Sequence, residues 1–237
     1  MSNETLELNS NPVLNAMYFS RFVVSGTWTC PNNITSIFVS GCGGGGGGGK
    51  GFSSVNGGDC YVYISGFFGG CGSSAGWSIK EEIQVVENKI YTVSIGSAGV
   101  GANGAISSTT GGDSKISLDG TDVWLAYGGI AGSNATNTAN GTHGTKPPAG
   151  VGTFAGNKPV VWTHPDNGSS PETVVGGYGG GCPFGSGGLS DTANTSSACT
   201  NATGYGSGGG GGFYRLAPTV ETVNGGSGGS GLIIIEW

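Results

Sequence analysis

The chain holds two histidines, His143 and His164, and neither stands in a pattern that chemistry requires. A zinc site draws on Cys, His and carboxylate ligands at short, fixed spacings. No Glu or Cys lies at such a spacing from either imidazole, and no Cys-x-x-Cys pair occurs. Gly44–Gly51 (GGGGGGKG) superficially resembles a phosphate-binding loop. The Ser or Thr that must follow the lysine is Gly51, and the glycines from 51 to 58 cannot open a helix. Glu81-Glu82 falls on a run that reads as an edge strand, where charge guards against aggregation. A glycosidase needs two carboxylates facing across a cleft, and nothing singles out such a pair. The chain reads as a non-enzyme with no cofactor and no metal site. The residues able to recognise something are the aromatics set among Asn, Ser and Thr in the second half: Phe154, Trp162, Tyr178, Phe184, Tyr205, Phe213 and Tyr214, with His164 beside Trp162.

Composition limits what can position them. Of 237 residues 53 are Gly and nine are Pro, and only 9% are charged. Collagen would need Gly at every third position. A helical bundle could not carry this much Gly, at roughly 1 kcal/mol per helical position. Disordered chains combine high charge with few aromatics, whereas this one has net charge −6 with nine Phe, eight Tyr and five Trp. Eight Lys and Arg against fourteen Asp and Glu argue against nucleic acid as a partner. No apolar run approaches the ~18 residues of a membrane span, and the first residues lack the basic start and apolar stretch of a signal peptide. The six cysteines leave two readings open, structural thiols or one or more disulfides.

The strand signals begin at Phe22, after a polar lead over residues 1–21 that reads as an attachment arm. Strands are expected over Phe22–Cys30, Ile34–Ser40, Cys60–Ser65, Ile79–Val86, Ile90–Ile95, Lys115–Leu118, Asp122–Ala126 and Gly231–Trp237. In Ile90–Ile95 the residues Tyr91, Val93 and Ile95 share one face. Glu87-Asn88-Lys89 reads as a hairpin connection, and Asp119-Gly120 is a stronger one, since Asp-Gly favours the tight turn that matches strand twist. Between them lie glycine-dense segments at Gly43–Gly49, Gly176–Gly188, Gly204–Gly212 and Gly225–Gly231. A run of seven glycines either floats as a linker or pairs through its backbone. Extended glycine helices of three residues per turn keep their N–H groups and can pack side by side, bonded to neighbours. The expected architecture is therefore an all-β, antiparallel β-sandwich with packed polyglycine II helices.

Gly26–Gly49 (GTWTCPNNITSIFVSGCGGGGGGG), Ile90–Val100 (IYTVSIGSAGV), Gly112–Gly129 and the ending Gly225–Trp237 (GGSGGSGLIIIEW) resemble the glycine-rich domain of bacteriophage tail-fibre proteins. The plan is also similar to the tip adhesins of T-even phage tail fibres and to the glycine-rich domain of anaplastic lymphoma kinase. Residues 132–203 match nothing in that family and read as a variable loop insertion within a domain of residues 22–237. The resemblance implies a virion fibre protein, a tail-fibre tip or short fibre assembled in the host cytoplasm. It implies a homotrimer, docking on other virion proteins through the arm, and binding of a bacterial surface glycan or outer-membrane protein without membrane insertion. Val13, Leu14, Tyr18, Phe19 and Phe22 form an apolar cluster on a lead too short for its own core and are the candidate oligomer interface. Two alternatives stay open: a purely structural capsid fibre or decoration protein, and a cellular glycine-rich surface protein.

Overall fold

The computed structural model describes residues 4–6, 18–58, 61–104, 106–136, 139–158, 160–163, 175–190, 199–212 and 223–237. Its strands are β1 (Glu4–Leu6), β2 (Phe19–Phe22), β3 (Gly26–Thr29), β4 (Ser36–Cys42), β5 (Phe52–Gly58), β6 (Tyr61–Phe67), β7 (Trp77–Gln84) and β8 (Ile90–Ser94). They continue with β9 (Ser114–Leu118), β10 (Thr121–Ala126), β11 (Val160–Thr163), β12 (Val175–Tyr178), β13 (Gly185–Ser186), β14 (Thr203–Gly204) and β15 (Leu232–Glu236). No helix occurs among the described residues. The fold is all-β, with a five-stranded antiparallel sheet in the order β1-β2-β15-β4-β7 packed on a four-stranded one in the order β10-β9-β8-β3.

The core follows from alternation. Ile37 and Val39 of β4, Ile83 of β7, Phe22 of β2, and Ile233 and Ile235 of β15 point inward from the first sheet. Trp28, Tyr91, Val93, Ile116, Trp124 and Ala126 meet them from the second. Each such side chain contributes about 1.5–3 kcal/mol on burial. Trp124 carries its one polar atom in with a partner, since Nε1 donates to Ser78 Oγ at 3.0 Å. Trp237 closes one end of the sandwich, stacked on Tyr18 and tilted against Trp28.

Three expectations change. The run from Phe22 to Cys30 is two strands, β2 in one sheet and β3 in the other. The strands on either side of Glu87-Asn88-Lys89 exist but are not a hairpin: β7 pairs with β4, and β8 pairs with β3 and β9. The connection is pinned to Cys30, whose N–H donates to Lys89 O while Asn88 N–H donates to Cys30 O, so the chain crosses between sheets. Crossing lets Ile83 and Tyr91 face one core from opposite sides. Finally, β2 pairs with β15, which brings residues 19–21 of the expected arm into the main sheet. The Asp119-Gly120 hairpin joins β9 to β10, with both residues at positive φ as a tight hairpin turn requires.

Beside the sandwich the glycine segments pack backbone to backbone. Gly43, Gly46 and Gly49 donate N–H to Gly76, Ser73 and Gly70; Gly44 and Gly47 donate to Gly112 and Thr109; Gly45, Gly48 and Gly51 donate to Gly229, Gly226 and Val223. The carbonyls of the same run accept from three further segments, through Gly99 and Ala102, Gly129 and Gly132, and Gly209 and Gly212. One central run is thus bonded to six neighbours, meeting each at every third residue. A Cβ placed at any of Gly43–Gly49 would stand inside 3.0 Å of another segment's backbone. Residues 132–135, 141–144 and 179–190, expected as insertion loops, donate N–H groups into this packing.

Candidate binding surface

The outward face of the five-stranded sheet is ordered by register. Across β2, β15, β4 and β7, Phe19, Glu236, Phe38 and Glu82 lie opposite one another, and Arg21, Ile234 and Ser40 form the next row. Leu232, Cys42 and Trp77 form a third row, where the sheet meets the glycine lattice. Phe38 is 44% exposed between two carboxylates. Lys80, at positive φ where β4 and β7 bulge, approaches Glu236 at 3.6 Å. An exposed pair of that kind adds less than about 1 kcal/mol.

The third row is roofed by two short segments. Cys182 and Gly185 exchange backbone hydrogen bonds, β13 pairs with β14, and Tyr205 N–H donates to Phe184 O at 3.0 Å. Gly204 and Gly206, both left-handed, turn the chain so that Tyr205 lies over the sheet. Arg21 Nη2 donates to Tyr205 OH at 2.8 Å, and its guanidinium carbon stands 5.6 Å from the ring centre. The pair joins a strand to a lattice loop 184 residues away. At the free edge of β7, Phe154 exchanges two backbone hydrogen bonds with Trp77, their rings 5.0 Å apart. Trp77 Nε1 is buried without a partner. Phe154 remains 58% exposed and Val151 50%. Their loop spans the edges of both sheets, since Leu125 N–H of β10 donates to Val151 O.

Of the sequence-derived candidates, Phe184 and Tyr205 are brought together at the roof. Phe154 sits at the β7 edge, and Tyr178 ends β12 at 40% exposure. Trp162 belongs to β11, opposite Gly176 of β12. His164, Phe213 and Tyr214 lie outside the described residues, as do Val13 and Leu14 of the expected oligomer interface. Two further members of that interface are committed within the chain. Phe22 is 3% exposed in the core, because β2 turns it inward opposite Ile233, so it cannot serve as an interface residue. Tyr18 stacks on Trp237, and Phe19 is half-buried on the outer face. Sequence reasoning missed Phe38 and Arg21. For Phe38 a signal existed: with Ile37 and Val39 inward, alternation turns the phenylalanine between them to solvent.

His143 is structural in its contacts. Its Nδ1 accepts from Cys71 N–H at 3.0 Å, the ring stacks near Phe68, and burial pushes its pKa below the ordinary 6.5. Among the described residues no group of three or more His, Cys, Asp or Glu could hold a metal ion. The arrangement offers aromatic faces and a mixed row of charges on a rigid backing, which suits noncovalent recognition. Residues 22–237 match a family model described as a glycine-rich domain. No curated protein matches the chain.

Proposed function

The chain belongs to the glycine-rich domain family over residues 22–237, and from that premise we propose that it is a virion fibre protein of a bacteriophage, a tail-fibre tip or short fibre that binds a host cell-surface receptor. One observation carries the reading. The lattice consumes its backbone in bonds to itself and buries only small side chains such as Cys71, Ser73, Ser74, Ala75 and Ser207, while aromatic residues such as Phe154 and Phe38 are exposed at its rim and on the sheet beside it. A rigid body of this kind recognises ligands through what it displays at its margins. Tyr205 over Arg21, Phe184, Phe154 and Tyr178 are such displays, and Trp162, on β11, is proposed to join them. Aromatic faces stack on sugar rings or anchor in protein grooves, and Trp, Tyr and Arg dominate binding hot spots.

The proposal includes polyglycine II geometry for the lattice, supported by the three-residue repeat of its bonds. It also includes a homotrimer, now resting on Val13, Leu14 and Phe19. Light scattering that returns a monomer mass would remove the trimer. The functional test is disruption of the gene followed by adsorption measurements on purified particles. Intact particles that no longer adsorb are the expected result, and adsorption rescued by the wild-type chain but not by Trp162→Ala or Tyr205→Ala places recognition on these residues. Particles that adsorb normally without the protein refute receptor binding and leave a structural virion role. Absence of the protein from washed particles refutes the virion assignment itself.

A further inference from the structure

The described cysteines differ in their surroundings. Cys30 contacts the carbonyls of Pro31 and Ile34. Cys71 and Cys199 both serve Gly211, the first accepting from its N–H at 3.3 Å and the second donating to its carbonyl at 2.8 Å. Cys42 and Cys182 are instead each other's side-chain partners. They meet where the sheet passes into the lattice. Cys42 ends β4, fully buried on the outward face, and Cys182 opens the roofing turn, half-buried.

Both sulfurs bear on one three-residue segment, Tyr205 to Ser207. Cys182 Sγ lies 3.0 Å from Tyr205 O and 3.8 Å from Ser207 Oγ. Gly206 stands between those two, and a methyl on it would come within 2.7 Å of Cys42 Sγ and 2.9 Å of Cys42 Cβ. The loop therefore carries no side chain at Gly206, beside Cys42.

We propose that Cys42 and Cys182 form an oxidative modification site, closing to an intrachain disulfide by exchange with a small disulfide such as oxidised glutathione. The product staples the roofing turn, with Phe184 and Tyr205 beside it, to the outer face of the five-stranded sheet. The order of steps follows from exposure and acidity. Cys182 is the more accessible, and the hydrogen bond from Cys42 outweighs burial to bring its pKa down to about 7. Cys42, on the other side of that bond and buried, is pushed well up. The Cys182 thiolate attacks one sulfur of the reagent, a mixed disulfide forms, and one glutathione thiolate leaves and takes up the proton that Cys182 released. Cys42 then attacks Sγ of Cys182, giving its proton to the second departing glutathione. Two protein thiols are oxidised and one small disulfide is reduced to two thiols.

The experiment uses the full chain, incubated folded with oxidised glutathione, trapped with iodoacetamide in denaturant and mapped by mass spectrometry. The expected result is a loss of two hydrogens, a single reductant-sensitive link between the peptides holding Cys42 and Cys182, and its persistence in Cys71→Ser. In Cys182→Ser, which replaces a half-buried sulfur with oxygen, the link is absent and Cys42 is alkylated. A wild-type protein that stops at the glutathione adduct of Cys182, or in which both cysteines are alkylated in full, overturns the proposal whatever the variants do.

Discussion

Replacing Gly46 with Ala tests the lattice at its centre. Gly46 donates to Ser73 O at 3.0 Å and accepts from Gly209 N–H at 2.9 Å, so both of its backbone groups are held. A methyl there would overlap the Ile130 carbonyl oxygen, with Ile130 C at 2.5 Å and Gly129 O at 2.9 Å, against 3.4 Å or more for ordinary contact. The neighbouring segment must retreat by about 1 Å, because the obstruction is backbone and no rotamer relieves it. That segment is held by Gly129 N–H to Gly44 O at 2.7 Å, Gly132 N–H to Gly47 O at 2.9 Å and Ser73 N–H to Ile130 O at 2.9 Å. Retreat stretches all three past hydrogen-bond range. At about 1–3 kcal/mol for each buried group left unpaired, with partial relaxation, the loss is about 3–6 kcal/mol. Restricting the unfolded chain offsets about 0.5–1 kcal/mol of this. The net cost of about 2–5 kcal/mol is a large fraction of an ordinary domain's stability. The control is Gly181→Ala, where the nearest atoms to an added methyl are 3.7 Å and 3.9 Å away. It should change stability by less than about 1 kcal/mol in either direction. Urea unfolding followed by tryptophan fluorescence reads both. Equal costs for the two variants, or a cost below about 1 kcal/mol for Gly46→Ala, would refute close backbone approach as the reason for the glycine run.

Gly120→Ala isolates the other use of glycine: nothing lies within 4 Å of an added methyl, but φ is +82°, so a cost of about 1–2 kcal/mol in the same assay measures backbone strain alone. Ser78→Ala should cost about 2–3 kcal/mol, because Ser78 Oγ both accepts from Trp124 Nε1 and donates to Val39 O at 3.2 Å inside the core; a loss under about 0.5 kcal/mol would show those groups find other partners. His143 has its folded pKa below its unfolded value, so the folded chain binds fewer protons; stability should fall as pH drops below about 6.5 and level off once the folded imidazole is also protonated. Urea midpoints measured from pH about 7.5 down to about 5 should show this slope in the wild type and a flatter one in His143→Gln.

The strands were legible wherever alternation was strong. Tyr91 and Val93 face the core as their spacing requires, and the closing LIIIE run is a strand that buries Leu232, Ile233 and Ile235 but leaves Ile234 and Glu236 half-buried on the outer face. Asp119-Gly120 announced its hairpin, since a left-handed pair of residues has few other uses. The site was less legible. Phe184, Tyr205 and Phe154 were named from composition, but their companions Arg21 and Trp77 are 184 and 77 residues away from Tyr205 and Phe154 respectively. No local pattern joins residues so far apart.

What the sequence determined by itself is the class of structure: glycine at this density excludes helices, and β-branched runs between glycine blocks demand strands. Tertiary structure decided the pairing. Glu87-Asn88-Lys89 has the length of a hairpin connection, yet β7 and β8 part into different sheets because β4 and β3, made earlier in the chain, are their partners. It also decided what becomes of a glycine run. Gly43–Gly49 carries no side chain to encode a neighbour, so its surroundings are chosen by whichever backbones arrive to fill six directions of hydrogen bonding. The physical reason is that local sequence sets the conformations a segment can adopt, whereas partners across the fold are selected by burial and by the need to satisfy every buried N–H and C=O.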